Sequence, residues 1–325
     1  GNRKRTTIDD HFIHVFDYNI RSTTHGQRLP IPIAWFVMET KRFKASFFGV
    51  IVAVIWGLTF LSIKVALREF GPMSLPLFRF VIASLLLALI MILTRTRFRI
   101  AWKDVPMLSL SAFSGVTLYY YFENNGIMRL TASESSLIVG TIPVVTLLAE
   151  MIAFKIRPRR TVMLGIVLSF VGVALIVMRS ENASTSVSGY FFMLGAVLSW
   201  VAYGFITKPL SGRYPMLTIT FWQMVIGALG CMPFALAEQQ SWTGFSTSVL
   251  LNATFLAVFG SAIGYWLYII VLDELGPGRS SVFINLIPVV SVTASFVFLG
   301  ERLSAMQVAG ACLAIAGVYL ASSGS

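Results

Sequence analysis

Ionisable side chains inside long apolar stretches are costly, so the ones this sequence keeps are its first candidates for chemistry. Arg79 lies within the stretch 73–94, Glu123 follows 105–122, Glu134 and Glu150 lie within 134–154, and Lys64 directly follows 45–63. Groups so placed can hold a charged ligand, carry a proton, or pair across helices to close a path. The bland alternative is a side chain that snorkels to water from a helix end. That alternative suffices for Asp273, Glu274 and Arg279 and competes evenly for Lys64 and Glu134. Arg79 and Glu123 are harder to dismiss. Rings form a second set: Tyr119-Tyr120-Tyr121, Tyr265-Trp266 with Tyr268, and Trp56, which matches Trp200 with Tyr203 nearby. Most such rings are core or interfacial belt, yet rings from symmetric helices at mid-depth can line a pocket, with Asn285 as a polar anchor.

Catalysis is not expected. No His-Glu-x-x-His or Gly-x-Ser-x-Gly occurs, no histidine follows His25, and within the apolar stretches Asp and Glu stand singly. His11 and His14 lack a carboxylate or cysteine partner, so no metal and no cofactor are expected. Cys231 and Cys312 lie in apolar stretches, where a thiol behaves as a small hydrophobe and implies no disulfide framework.

Composition dictates the scaffold that holds these residues. The chain of 325 residues is 56% hydrophobic and 12% charged, with mean hydropathy +0.79. That leaves too little polar surface for a water-soluble globule. Apolar stretches predict helices over 45–66, 73–94, 105–125, 133–154, 161–178, 187–208, 214–236, 247–272, 279–299 and 304–322. Each crosses, or nearly crosses, a hydrocarbon core of about 30 Å. The expected fold is an all-α integral membrane protein of ten transmembrane helices.

The sequence also contains itself twice. A displacement of 145 residues lays Ile142-Pro143-Val144-Val145 on Ile287-Pro288-Val289-Val290, Tyr120 on Tyr265, and Gly115 on Gly260. Gly165 and Gly172 fall on Gly310 and Gly317, and slightly smaller displacements match Trp56 with Trp200 and Lys64 with Lys208. The expected units are 45–178 and 187–322. Five helices per unit force the second copy to insert upside down, the inverted-repeat plan in which a ligand is held where the halves meet.

Orientation comes from the loops. Fourteen Lys and Arg, from Lys41, Arg42 and Lys44 through Arg95, Arg97, Arg99 and Lys103 to Arg279, fall on one side, against Arg68, Arg129, Arg179 and Arg302 on the other. Both termini are therefore expected in the cytoplasm. The same rule accounts for the net charge of +11 without nucleic acid. Residues 1–44 read as an N-terminal cytoplasmic tail. Residues 1–37 hold all three histidines and no span, and with Met38 as a natural start they are expected to be a non-native upstream segment.

Several motifs recur in order: Ile55-Trp56-Gly57-Leu58-Thr59-Phe60 with Lys64, then Phe78-Arg79-Phe80, then Thr131-Ala132-Ser133-Glu134-Ser135-Ser136 before Pro143, and Leu299-Gly300-Glu301-Arg302. Together they make residues 45–322 resemble the EamA-type drug/metabolite transporter superfamily. Lys155-Ile156-Arg157-Pro158 departs from that pattern, because the first half lacks the Gly300-Glu301 pair, so a role for that Glu in both halves is in doubt. The resemblance implies a carrier, commonly an exporter of amino acids or other small metabolites, in the bacterial inner membrane. A channel, an uncoupled facilitator and a scaffold without transport are the alternatives.

With a single Arg at depth, neutral or zwitterionic substrates suit the chain better than phosphorylated sugars. A proton on Glu123 or Glu150 is the candidate coupling ion, and a monomer in the lipid bilayer is expected. The expected substrate site lies on the pseudo-two-fold axis. Trp56, Tyr119, Trp200, Tyr203, Tyr265 and Trp266 contact the ligand, and Arg79 and Asn285 orient it. Arg79 pairs with Glu123 to close one mouth, while Lys64, Glu134 and the helix-breaking Pro143 and Pro288 gate or hinge.

Overall fold

The structure is a computed structural model that describes residues 31–155, 159–178 and 186–323, all helix, turn or loop. Thirteen α-helical segments are described. In the first half they are α1 (Ile31–Ala66), α2 (Ser74–Leu93), α3 (Val105–Ala112), α4 (Tyr119–Arg129), α5 (Ala132–Val139), α6 (Ile142–Phe154) and α7 (Arg160–Met178). The second half holds α8 (Val187–Ser211), α9 (Met216–Ala237), α10 (Thr247–Phe255), α11 (Gly264–Val282), α12 (Leu286–Leu299) and α13 (Ala305–Ser323). Six helical stretches among the described residues are long and apolar enough to cross a membrane. The last of them, 247–299, runs for 53 residues. Gly276, at φ +78°, breaks it into two pieces.

Boundaries differ from expectation where local chemistry is permissive or strained. The first helix starts at Ile31 rather than 45, because Glu39, Lys41, Arg42 and Lys44 are good helix formers and no breaker separates them from the apolar run. His11 and His14 lie outside the described residues. The helix expected over 105–125 is continuous to Arg129 but carries a π-helical segment, Phe113–Leu118, between α3 and α4. Its counterpart Leu256–Ile263 joins α10 to α11 at the matching place in the second half. The fourth helix of the first half is broken at Gly140-Thr141, ahead of Pro143. That of the second half tightens into a 3-10 turn, Phe283–Asn285, ahead of Pro288. Proline deletes the bond to the carbonyl four residues earlier, so the disturbance falls upstream of the ring.

The repeats embrace rather than sit side by side: α2 packs on α9, α4 on α8, α5 on α12 and α7 on α13, each pair drawn from opposite halves. The α7–α13 contact uses the duplicated glycines. A Cβ at Gly172 would collide with Gly310 O and Ala314, and one at Gly317 with Gly165 O and Ser169, which is the close backbone approach that small residues permit. Carboxylates tie other ends together. Glu238, after α9, accepts from Met73 N (2.7 Å) and from Ser74 N and Oγ (2.8 and 2.6 Å) at the start of α2.

Candidate functional site

A buried cavity of about 20 Å³, room for a single water, sits where the halves meet. Of its twelve lining residues, eight form four duplicated pairs: Trp56 with Trp200, Tyr120 with Tyr265, Val139 with Ile284, and Ile142 with Ile287. Residues related by the duplication can face one cavity together only if it lies on their shared axis. Thr59, Phe60, Tyr119 and Glu123 complete the lining, all from the first half. The rings form a continuous box, with Trp56 edge-on to Trp200 (5.0 Å between centroids) and Trp200 tilted against Tyr119 and Tyr203 (5.0 Å each).

The π-helical segments set this geometry. Each widens a helix beside the cavity and presents a backbone carbonyl to the opposite half. Trp56 Nε1 donates to Gly260 O (3.0 Å), and Tyr265 Oη donates to Gly115 O (2.8 Å). The glycines keep that approach open, since a Cβ at Gly115 would run into the Tyr203 ring. Trp200 Nε1 lies near the Tyr268 hydroxyl without meeting hydrogen-bond geometry.

Arg79 and Glu123 do not pair with one another, contrary to the sequence expectation, because adjacent tyrosines on α4 stand between them. Arg79 is buried, 1% exposed. Its Nη2 donates to Tyr120 Oη (3.1 Å), its Nε to Ser261 Oγ (3.3 Å), and its Nη1 has no partner. The guanidinium lies over the Tyr120 ring, 4.6 Å from the centroid. Glu123, also buried, accepts from Tyr119 Oη at 2.7 Å. Cation, two phenols and carboxylate thus run in series: Tyr119, Tyr120 and Glu123 line the cavity, and Arg79 lies behind Tyr120 without reaching the lining.

The remaining predicted residues have diverse placements. Tyr203 backs the Trp200 ring and donates to Gln223 (3.2 Å) instead of lining the cavity. Trp266, one residue from Tyr265 and about 100° further round its helix, is only half-buried and lines nothing there. Asn285 is half-buried in the 3-10 turn, and its neighbours Ile284 and Ile287 take the lining positions. Lys64 donates to Ile127 O (2.7 Å) and Leu130 O (2.5 Å), closing the C-terminus of α4. Its duplicate Lys208 caps the end of the matching helix at Asp273. Glu134 completes a capping box with Thr131 and accepts from Gln307 (3.1 Å). Pro288 packs against Gly140, so the two helix breaks touch. Pro143 begins α6.

Sequence reasoning missed Tyr120 as an Arg79 partner, Thr59 and Phe60 on the wall, and Ser261 behind the guanidinium. The motif position of Thr59-Phe60 and the exact match of Tyr120 to Tyr265 were the available signals. Away from the cavity, Asp104 accepts from Tyr214 Oη (2.5 Å) and pairs with Arg213 (2.7 Å). The Tyr214 hydrogen bond, aided by the charge of Arg213, holds the Asp104 carboxyl below its usual range, and the same contact pushes the Tyr214 phenol up.

Comparison with known proteins agrees with this architecture. One solved crystal structure superimposes with a TM-score of 0.66 at 16% identity, over 85% of this chain and 96% of the other, a likeness of fold. A protein of Archaeoglobus fulgidus named an uncharacterized transporter is 31% identical over 82% of this chain and 94% of its own length. A probable terminal-alkyne amino-acid exporter of Streptantibioticus cattleyicolor is 28% identical, covering 85% and 93%. A probable amino-acid metabolite efflux pump of Salmonella typhimurium is 29% identical, covering 85% and 94%. The sequence profile of the EamA-like transporter family matches twice, over residues 43–178 and 187–323, one match per half of the pseudo-symmetric fold. The chain belongs to the EamA-like transporter family.

Proposed function

We propose that this transporter exports small zwitterionic metabolites, apolar or aromatic amino acids foremost, by alternating access to the cavity between its halves. Ten membrane crossings, five per half with the second set inverted, put both termini on the cytoplasmic side of a bacterial inner membrane. The observation that carries the reading is the cavity lined by four duplicated pairs. A ligand on the axis of two inverted halves can be presented to either face by the same motion run in opposite senses. Trp56, Tyr119, Trp200 and Tyr265 supply the apolar box. Glu123 on the wall offers a carboxylate to an ammonium, and Arg79, behind Tyr120 with one guanidinium nitrogen unpartnered, takes a carboxylate in the wider conformation. At about 20 Å³ the cavity is contracted around no more than a water, so substrate enters a wider conformation than this one. The amino-acid exporters among the relatives support the substrate class.

Counterflow into proteoliposomes tests the reading, with aromatic and aliphatic amino acids, amines and cationic drugs each offered at two pH values. Saturable exchange of amino acids, lost in Arg79→Met, is expected. Flux that rises linearly with concentration would indicate a channel, and no flux with any solute a scaffold. A pH-independent rate would remove the proton as coupling ion. Cysteines at Thr94 and Thr243 should label from opposite faces, and labelling from one face would sink the inverted arrangement.

A further inference from the structure

The fourth helices of the two halves cap each other. At one end of the pair, Glu301 beyond α12 accepts from Ala132 N (3.1 Å) and from Ser133 N and Oγ (3.0 and 2.7 Å), the first residues of α5. At the opposite end, Glu150 in the last turns of α6 accepts from Gly278 N (3.1 Å), just past the break at Gly276. Ser133 and Gly278 are duplicates at the displacement of 145, so the two caps are related by the pseudo-symmetry. The capping carboxylates are not. The position matching Glu301 holds Ile156, and Glu150, six residues earlier, does the corresponding work. The helix ends themselves match: Gly300 (φ +67°) and its duplicate Lys155 (φ +54°) both adopt the left-handed turn, even though lysine tolerates it poorly.

Between the caps lie the cavity residues Val139 and Ile142 on one helix and Ile284 and Ile287 on the other. The two breaks touch midway, at Gly140 and Pro288. A helix pair joined at both ends and pivoting at its middle can part at one end while the other stays closed. We propose that Glu301 and Glu150 are the latches of the two gates, each a carboxylate of one half holding the first amides of the other half's fourth helix. Release of Glu301 opens the cavity at the Lys64 end and release of Glu150 opens it at the Lys208 end. The latches are unequal, three hydrogen bonds against one, so the resting protein opens more readily at the Lys208 end. A second small cavity, bounded by Gly49, Trp56, Tyr268, Ser280 and Phe283, adjoins the central one through Trp56, Ile284 and Ile287 and gives that end less packing to undo. This assignment rests on the alternating-access reading above.

Spin labels on exposed positions report each gate without substrate: Met128 with Arg302 at one end, Ala153 with Glu274 at the other. In nanodiscs, Glu301→Ala should raise the long-distance population of the first pair about tenfold and leave the second pair unchanged, as expected for losing a charge-assisted helix cap. Glu150→Ala should do the reverse. Gly278→Ala should mimic Glu150→Ala with the carboxylate intact, because its Cβ would meet Glu150 Oε2 at 2.7 Å. Should Glu301→Ala fail to fold, Ser133→Ala removes the hydroxyl bond alone and carries the same prediction at smaller size. Widening of the same end by both glutamate variants, or of neither end in folded protein, would overturn the latches. Gates that move as described in a protein showing no counterflow would instead defeat the carrier reading and leave the latches standing.

Discussion

Tyr120→Phe deletes one oxygen from the wall of the cavity, and its cost isolates what holds Arg79. The guanidinium stays over the ring at 4.6 Å, so the cation–π attraction survives while the 3.1 Å bond from Nη2 is lost, together with a contact to the Tyr265 hydroxyl that does not involve Arg79 and cancels when the two backgrounds are compared. A hydrogen bond to a charged group contributes about 1.5–3 kcal/mol. Its length places this one near the lower end, so the expected loss is about 1.5 kcal/mol. In an Arg79→Met background the same deletion has no cation to strand and should cost less than about 0.5 kcal/mol. The coupling is then about 1 kcal/mol or more, a shift of about 1.5 °C or more in unfolding midpoint for a chain of 325 residues. Thermal unfolding in detergent can be followed by the reactivity of Cys231, which is buried, after Cys312, which is exposed, is replaced by Ser. Costs that add within about 0.3 kcal/mol would refute the reasoning. Arg79→Met alone should be near neutral or stabilising, since no ion pair offsets the burial of Arg79 among the described residues. Its loss should register in transport instead.

Two further outcomes test the frame around the site. Gly172→Val should destabilise the protein by at least about 1–3 kcal/mol, because its side chain would meet backbone at Gly310 and Ala314 instead of a yielding side chain; Gly212→Val, with open space around its Cβ position, is the matched control in the same unfolding assay. Asp104 has its carboxyl depressed in the folded state, so its contribution is fully present above the ordinary carboxylate range and is lost as pH falls through the depressed value. Tyr214→Phe removes the main cause, and the acid limb of a stability-against-pH curve should move to higher pH; an unchanged limb would deny the coupling.

Much of this arrangement was legible because duplication constrains space. Once Ile142-Pro143 is known to match Ile287-Pro288 and Tyr120 to match Tyr265, two halves packed into one another leave few places for the matched residues to meet. The features that stayed hidden depend on backbone register. A π turn has no composition of its own: the sequence of Phe113–Leu118 reads as ordinary apolar helix, and the turn is matched to carbonyl acceptance from the other half. Trp266 was drawn in by adjacency to Tyr265, but about 100° further round the same helix it misses the cavity. The Arg79–Glu123 pair failed differently, since opposite charges at similar depth suggested a bond while the two neighbouring tyrosines supplied nearer partners. The Glu150 contact with Gly278 N was hidden for a third reason: it joins residues 128 apart in sequence, and no local pattern announces it.

The departures from symmetry carry the functional argument furthest. A perfectly duplicated cavity would bind a ligand equally in two opposed orientations. Here Thr59, Phe60, Tyr119 and Glu123 come only from the first half, and the duplicate of Glu123 is Tyr268. Arg79 likewise has no basic partner, since Phe78 matches Phe221 and the next residue is Trp222. Trp222 turns away to bond Phe98 O at 2.7 Å. The apolar pairs make a box indifferent to direction, and Glu123 on its wall with Arg79 behind Tyr120 gives it a head and a tail. A zwitterion would then lie with both charged ends against the first half and its side chain among the rings, and the second half would move across it. Moving the carboxylate between halves, by Glu123→Tyr with Tyr268→Glu while Arg79 stays, should preserve the box and turn the ammonium end of the ligand toward the second half, where Tyr268 borders the adjoining cavity. Substrates whose side chains tolerate the reorientation should survive the exchange in counterflow, and those that do not should be lost. Equal loss of every substrate in a folded double variant would show that the wall does more than orient.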